Sequence, residues 1–228
     1  MPHDRFYIDA PLVNTLSLEG EEFHHLSRVM RKQEGEEIEL VNGRHRLALA
    51  RIESLQKSHA KLLILNVEEK KPLLPLLVLV QALPKLSNLE LIIQKGTELG
   101  VSTFYLYPSA RSEKKELSEN QKKRLHHILI GAMKQCGRLD LPEIKSEFPQ
   151  LKGNVYFGDL SKKAPPLSSI GKLPAMLVIG PEKGFTNEEI HFFEKVGKGV
   201  SIGPYILRTE TAALAGLSIL AAADKKAF

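Results

Sequence analysis

The chain has 228 residues, with 32 Lys and Arg against 27 Asp and Glu, a formal net charge of +5. A hydrophobic share of 43% and a charged share of 26% are enough for a packed core and exclude a disordered chain. One cysteine, Cys136, excludes an intramolecular disulfide framework and any multi-cysteine zinc or iron–sulfur centre.

Along the chain, the start MPHDRFYIDAPLVN lacks a basic residue run followed by an apolar one, so no signal peptide is expected. The longest apolar stretches fall short of the roughly 20 residues a bilayer span needs. Together with the free thiol this predicts a soluble, cytoplasmic protein. The first 70 residues read as β-rich. Expected strands are Arg5–Ile8, Thr15–Leu18, Glu36–Val41, Arg46–Ile52 and Ala60–Val67, with one short helix over Glu21–Met30. Asn42-Gly43 is a tight-turn signal between two of those strands. Several short strands with one helix predict a small barrel or sandwich. The charged stretch Glu68-Glu69-Lys70-Lys71 ends at the helix breaker Pro72, and that position is taken as the domain boundary.

Beyond it, strands alternate with helices. Leu76–Val80 is a continuous apolar run, as in a strand buried on both faces of a parallel sheet. A helix over Asn88–Leu99 is expected to open on a capping box of Ser87 with Glu90 and to stop at Gly100. Ser102–Tyr107 is the next strand, with Tyr105 and Tyr107 expected in the core. Helix Glu119–Cys136 opens with Ser118 and Gln121 at the same capping spacing. Its apolar face runs Leu125, Ile128, Leu129, Ala132 and Cys136, which predicts a packed thiol rather than a nucleophile. Adjacent His126 and His127 point apart on that helix and make a poor metal pair. Later strands are Asn154–Phe157, Met176–Ile179 and Val200–Ile202. Thr186 and Glu189 cap a helix running to about Val196. Thr211–Ala223 is a last helix, apolar almost all round, suited to a core or a subunit interface. This alternation predicts an α/β domain with a mostly parallel sheet, whose ligands sit beyond the carboxyl ends of its strands.

Charge sharpens one segment. Residues 1–75 carry 11 basic and 12 acidic side chains, whereas residues 111–138 alone carry eight basic and three acidic, a local net of +5. Such a patch suits a polyanion; a solvated helix face would look the same. Two loops follow predicted strands in the last third, Gly180-Pro181-Glu182-Lys183-Gly184-Phe185 and Gly203-Pro204-Tyr205-Ile206-Leu207-Arg208-Thr209-Glu210. Glycine permits close approach of backbone to a ligand and each loop leads into a helix N-terminus, but two tight turns would read the same way. Gly197-Lys198-Gly199 lacks the third glycine of a dinucleotide fingerprint. No phosphate loop, zinc-protease motif or serine elbow is present.

The ordered set His24–Arg31, Gly35, Asn42-Gly43, Leu83-Pro84-Lys85, Ile92–Gly100, Arg111-Ser112, Arg124, Gln135–Arg138, Ile179–Glu182 and Ile206–Ala212 spans nearly the whole chain. It resembles the 16S rRNA uracil-N3 methyltransferase family, the RsmE type of SPOUT methyltransferase. The resemblance implies a PUA-like β-barrel over residues 1–72. It also implies a SPOUT-type α/β domain over 73–228 with a C-terminal trefoil knot, and a homodimer. The cofactor would be S-adenosylmethionine and the partner 16S rRNA of the small ribosomal subunit, methylated at N3 of a uridine. In that reading Ile179, Gly180, Glu182, Gly184, Ile202, Gly203, Ile206, Leu207 and Thr211 hold the cofactor. Arg28, Arg31, Lys32, Lys85, Arg111, Lys122, Lys123, Arg124 and Arg138 hold RNA.

A cation beside uracil would stabilise the anion formed when N3 loses its proton, and Arg208 is the expected residue, with Glu210 orienting it or accepting the proton. Glu210 could equally serve the helix N-terminus. N3 methylation needs no attacking cysteine, in keeping with the reading of Cys136. The related pattern is Gly-Pro-Glu-Gly-Gly-Phe, and Lys183 departs from it. If that position demanded φ > 0, Lys would be strained by about 1–2 kcal/mol. Two other functions share these features: a SPOUT methyltransferase acting at another RNA position, and a non-catalytic RNA-binding or ribosome-assembly factor.

Overall fold

The computed structural model describes residues 4–71 and 75–223. The boundary expected at Pro72, and the first residues of the N-terminal segment, lie outside the described residues. The chain divides into two compact units: Met1–Pro72 with Ile130–Leu141, and Leu73–Leu129 with Pro142–Phe228.

In the first unit, β1 (Arg5–Tyr7), β2 (Thr15–Glu19), β3 (Glu37–Val41), β4 (Arg46–Leu55) and β5 (His59–Glu69) form one sheet in the order β1-β3-β4-β5-β2. Only the β1–β3 pair is parallel; the other three pairs are antiparallel. Period-two burial sets the core side. Ala48, Ala50 and Ile52 of β4 are buried while Leu49 and Arg51 are exposed. They join Phe6, Leu18, Leu26, Ile38, Leu40 and Leu62 in one core, where each fully buried large side chain contributes about 1.5–3 kcal/mol. The Asn42-Gly43 turn connects β3 and β4, with Gly43 at φ 71°. The single helix expected over Glu21–Met30 is instead a short α1 (Gly20–His24) followed by a π-helical turn, His25–Val29. Leu26 is its one buried residue, so a single apolar anchor holds it. Residues 130–141 complete this unit, with Met133 and Leu139 packed on Val41.

The second unit has a six-stranded sheet: β6 (Leu77–Ala82), β7 (Thr103–Tyr107), β8 (Glu143–Lys145), β9 (Asn154–Gly158), β10 (Ala175–Ile179) and β11 (Lys198–Val200). Their order is β11-β9-β10-β6-β7-β8, and every pair is parallel. The helices are α2 (Leu86–Glu98), α3 (Glu119–Cys136), α4 (Leu167–Ile170), α5 (Asn187–Val196) and α6 (Thr209–Ala222). Helix α6 packs on β10, β6, α2 and α4, and Gly216 admits the close approach: a Cβ there would lie 2.7 Å from Leu177 Cδ2.

Several expectations need correction. Helix α2 starts at Leu86 and its N-cap Lys85 has no side-chain cap, so the Ser87–Glu90 box is absent. Glu90 pairs with Arg124 instead, at 2.6 Å. The boxes at Ser118–Gln121 and Thr186–Glu189 are both present. The last edge strand is Lys198–Val200 rather than Val200–Ile202. Cys136 is exposed, not packed, because it lies in the final turn beyond the buried stripe Leu125, Leu129, Ala132 and Met133. Tyr107 is buried, but Tyr105 is half-buried, with the Lys145 ammonium 5.6 Å from its ring centre. No helix among the described residues is long and apolar enough to cross a membrane.

Candidate active site

The residues that follow five parallel strands line one cleft of about 1190 Å3 in the second unit. Lys85 and Asn88 follow β6, and Arg111 follows β7. Gly158–Ser161 follow β9, Gly180–Phe185 follow β10, and Ser201–Glu210 follow β11. This is the carboxyl-end crevice expected of a parallel sheet. Among the residues the sequence picks out, Ile179, Gly180, Glu182, Gly184, Ile202, Gly203, Ile206, Leu207, Arg208 and Glu210 line it, as do Lys85 and Arg111. Thr211 does not; it is exposed one residue further along α6.

A buried polar node that the sequence reading missed ties the floor together. Gln81, in β6, is fully buried, and its Nε2 donates to Ala82 O at 2.9 Å and Thr209 Oγ1 at 3.1 Å. Thr209 Oγ1 in turn donates to Gly180 O at 2.7 Å. The signal was a lone Gln ending an apolar strand run, a residue type that enters a core only when hydrogen-bonded. The apolar run Leu76–Val80 ends one residue before it, whereas the strand continues to Ala82.

The first Gly-Pro loop is fastened on both sides. Glu182 Oε1 accepts from Lys85 N at 3.1 Å and from Asn88 Nδ2 at 3.4 Å. It therefore supplies the carboxylate that the uncapped N-terminus of α2 lacks, where an acidic group is favoured by the helix dipole. From the other side Arg111 Nη1 donates to Lys183 O at 3.1 Å and Phe185 O at 3.0 Å. Phe185 packs edge-on to Phe193, with ring centres 4.9 Å apart. Glu189 serves two backbones, accepting from Ala110 N and Thr186 N. The left-handed position of the loop is Gly184, at φ 67°, while Lys183 is not among the residues with positive φ. Lys183 is thus unstrained, and its ammonium lies 3.4 Å from Glu113.

The second loop is differently disposed. Arg208 is the N-cap of α6 and exposed; its carbonyl accepts from Ala212 N at 2.8 Å, while its guanidinium makes no hydrogen bond or ion pair among the described residues. Glu210 sits in the first turn of α6, and its Oε2 is buried without a partner among the described residues. An unmet buried acceptor of this kind costs about 1–3 kcal/mol, so it is a place for a ligand's donor. Titration departs from ordinary values next to the first loop. Burial, then the nearby Glu189, push the Tyr107 phenol far up. A hydrogen bond from its own backbone, then one from Thr186, lowers the Glu188 carboxyl.

Other expected RNA contacts are dispersed. In the first unit Arg28 and Arg31 are exposed without ion-pair partners among the described residues, Arg31 at φ 53°. Lys32 is largely covered and bound to Asp4 at 2.6 Å and Glu36 at 3.2 Å; these partners, the Asp4 hydrogen bond first, raise its pKa. Arg138 pairs with Asp140. On α3, Lys122 pairs with Glu119 at 2.7 Å and Arg124 with Glu90, while Lys123 has no partner among the described residues. Much of the basic surplus of residues 111–138 therefore has a local counter-charge. The exposed pairs are weak, about 0–1 kcal/mol, and yield readily to a phosphate. No cluster among the described residues could hold a metal ion.

Comparison with known proteins gives a consistent picture. A family model described as RNA methyltransferase domain matches residues 69–221, and one described as RNA methyltransferase PUA domain matches 18–65. The ribosomal RNA small subunit methyltransferase E of Bacillus subtilis is 33% identical, with 90% of this chain and 89% of that protein covered. A putative methyltransferase from Legionella pneumophila, solved with bound S-adenosyl methionine, superposes with a TM-score of 0.87 at 30% identity, over 96% of this chain and 97% of that one. The Neisseria gonorrhoeae ribosomal RNA small subunit methyltransferase E, also solved with S-adenosyl methionine, gives 0.80 at 28% identity, over 96% and 95%.

Proposed function

The chain belongs to the RNA methyltransferase family with an N-terminal PUA-type domain, and on that footing we propose that it methylates N3 of a uridine in 16S rRNA of the small ribosomal subunit, using S-adenosylmethionine. The observation that carries this reading is the cleft, where an Arg208 side chain and a Glu210 Oε2, both without partners among the described residues, share the lining with a loop fastened from both sides. The residues present fit the cofactor. The volume is ample, Gly180, Gly184, Gly203 and Leu207 border it, and Gly184 has nothing within 4 Å of where a Cβ would lie. Glu210 Oε2 is an acceptor waiting for a donor.

Ile179, Gly180, Gly184, Ile202, Gly203, Ile206 and Leu207 would hold it, whereas Glu182 acts indirectly by fixing the loop to α2. When bound, S-adenosylmethionine supplies a methyl group on an electron-poor sulfonium. The chain's task is then to present N3 in line with that carbon and to make N3 nucleophilic. Arg208 stabilises the negative charge that spreads over the uracil ring as N3 loses its proton; each pKa unit of lowering is worth about 1.4 kcal/mol. Glu210, which does not pair with Arg208 in the structure and so does not orient it, is left as the acceptor for that proton.

The domain assignment follows the same reading: a PUA-like domain over 1–72 and a SPOUT domain over 73–228, knotted near its end. Arg28, Arg31, Lys85, Lys122, Lys123 and Arg124 offer cations to RNA phosphates. Lys32 and Arg138 join them only by leaving their carboxylates. Helix α6 leaves Ala212, Leu214, Ala215 and Ile219 half-buried, an apolar face suited to a second copy in a homodimer. A ribosomal substrate places the protein in the cytoplasm. The test is methyl transfer to small subunits lacking the modification, with mass spectrometry of the product nucleoside. N3-methyluridine is expected; a different methylated nucleoside, or none, overturns the reading.

A further inference from the structure

Three large apolar side chains are exposed more than any others described: Tyr205 at 82%, Ile206 at 81% and Leu160 at 73%. All three line the one cleft, although Leu160 follows β9 and the other two follow β11. Exposed apolar side chains from separate segments that line one cleft mark a surface that is covered in use. The charge around it identifies the cover. Lys162 and Arg208 are exposed and without ion-pair partners among the described residues, and both line the same cleft. Of the three acidic lining residues, Glu210 has its Oε2 buried and the other two are turned to other work. Glu182 serves the N-terminus of α2, and Asp159 accepts from Ser161 N at 2.8 Å. An aromatic ring beside apolar side chains and free cations is the combination that grips an unstacked base and its phosphate.

We propose that Tyr205 and Leu160 form the platform for the target base, beside the cofactor-holding Ile206, with the Tyr205 ring as its stacking face and Lys162 meeting the adjoining phosphate. This rests on the reading of the cleft as a uridine methylation site and adds how the base is held. N3 lies on the pairing edge of uracil, so the base must be unpaired and turned out before it can react. A base in that state has lost its stacking neighbours, and an exposed ring lining the cleft replaces them.

The test compares Tyr205→Ala and Tyr205→Phe with wild type on small ribosomal subunits lacking the modification. Stacking predicts that Tyr205→Ala raises KM for the subunits about tenfold, whereas Tyr205→Phe, which keeps the ring, stays within about twofold. Calorimetric Kd for S-adenosylmethionine should be unchanged in both, and so should the mass by sedimentation. An unchanged KM in Tyr205→Ala overturns the proposal. So does a change of oligomeric state, which would give the rim to a second copy of the chain. A wild-type protein that transfers no methyl group defeats the functional reading instead. Filter binding of the same subunits to wild type and Tyr205→Ala then still decides the platform, equal affinities overturning it.

Discussion

Two loops with the same Gly-Pro opening border the cleft, and they are built for opposite purposes. In Gly180–Phe185 groups along the whole loop are engaged by the scaffold: Gly180 O by Thr209, Glu182 by the start of α2, and the carbonyls of Lys183 and Phe185 by Arg111. In Gly203–Glu210 the conspicuous groups are unspent: Tyr205 and Ile206 lie in solvent, Arg208 is unpaired, and Glu210 Oε2 has no donor among the described residues. Rigidity in one loop and unmet valence in the other are complementary. Preorganised groups cost no rearrangement during reaction, and only unsatisfied groups have binding capacity to offer.

That contrast breaks first at Arg208. Arg208→Ala should lower kcat by at least about a hundredfold while leaving the calorimetric Kd for S-adenosylmethionine within about threefold. Near-normal turnover would make the second loop as structural as the first. Next is the node beneath both loops. Thr209→Val removes the hydroxyl that Gly180 O and Gln81 share, and urea unfolding should show a loss of about 1–3 kcal/mol, since Gly180 O keeps only a 3.5 Å contact with Gln81 Nε2 and the latter loses one of its acceptors. Arg111→Ala removes two exposed bonds worth about 1 kcal/mol together, so Kd for the cofactor should rise about fivefold. Unaltered affinity for small subunits would make Arg111 a loop fastener. A weakened RNA affinity with an unaltered cofactor Kd would return it to the RNA-contact role its sequence position suggests. Smallest is Glu182→Gln, which keeps an acceptor for Lys85 N but loses the charge at the helix start. A drop of about 0.3–1 kcal/mol is expected, shrinking as salt is raised.

How much of this was legible depended on the kind of interaction involved. Strand and helix alternation followed from apolar runs and capping pairs, because those signals are local: Thr186–Glu189 and Ser118–Gln121 are three residues apart. The cleft residues were legible through the ordered motifs that resemble a known family, not through loop chemistry, which two tight turns would equally satisfy. What escaped notice was non-local. Glu182 reads as a ligand contact until α2 is found without a cap of its own, and Arg111 reads as an RNA contact until two carbonyls more than 70 residues away appear beside it. Lys183 reads as strained until the left-handed φ is found one residue later, at Gly184. Cys136 follows the helical period of its buried neighbours, but periodicity carries no information about where the packed face ends.

The Gln81–Thr209–Gly180 node also bears on when the cleft can exist. Its three members are 128, 99 and 29 residues apart in pairwise separation. During synthesis Gln81 and Gly180 are made well before Thr209, so the sheet can pair its strands while both still lack the hydroxyl that joins them. Closing such distant contacts is slow, and domains complete them last. Ligand competence therefore arrives with α6, at the end of folding rather than with the sheet. A nascent chain that has not yet docked this helix has the first loop fastened by Glu182 and Arg111 but lacks the Thr209 bond to Gly180 O and the whole second wall of the cleft.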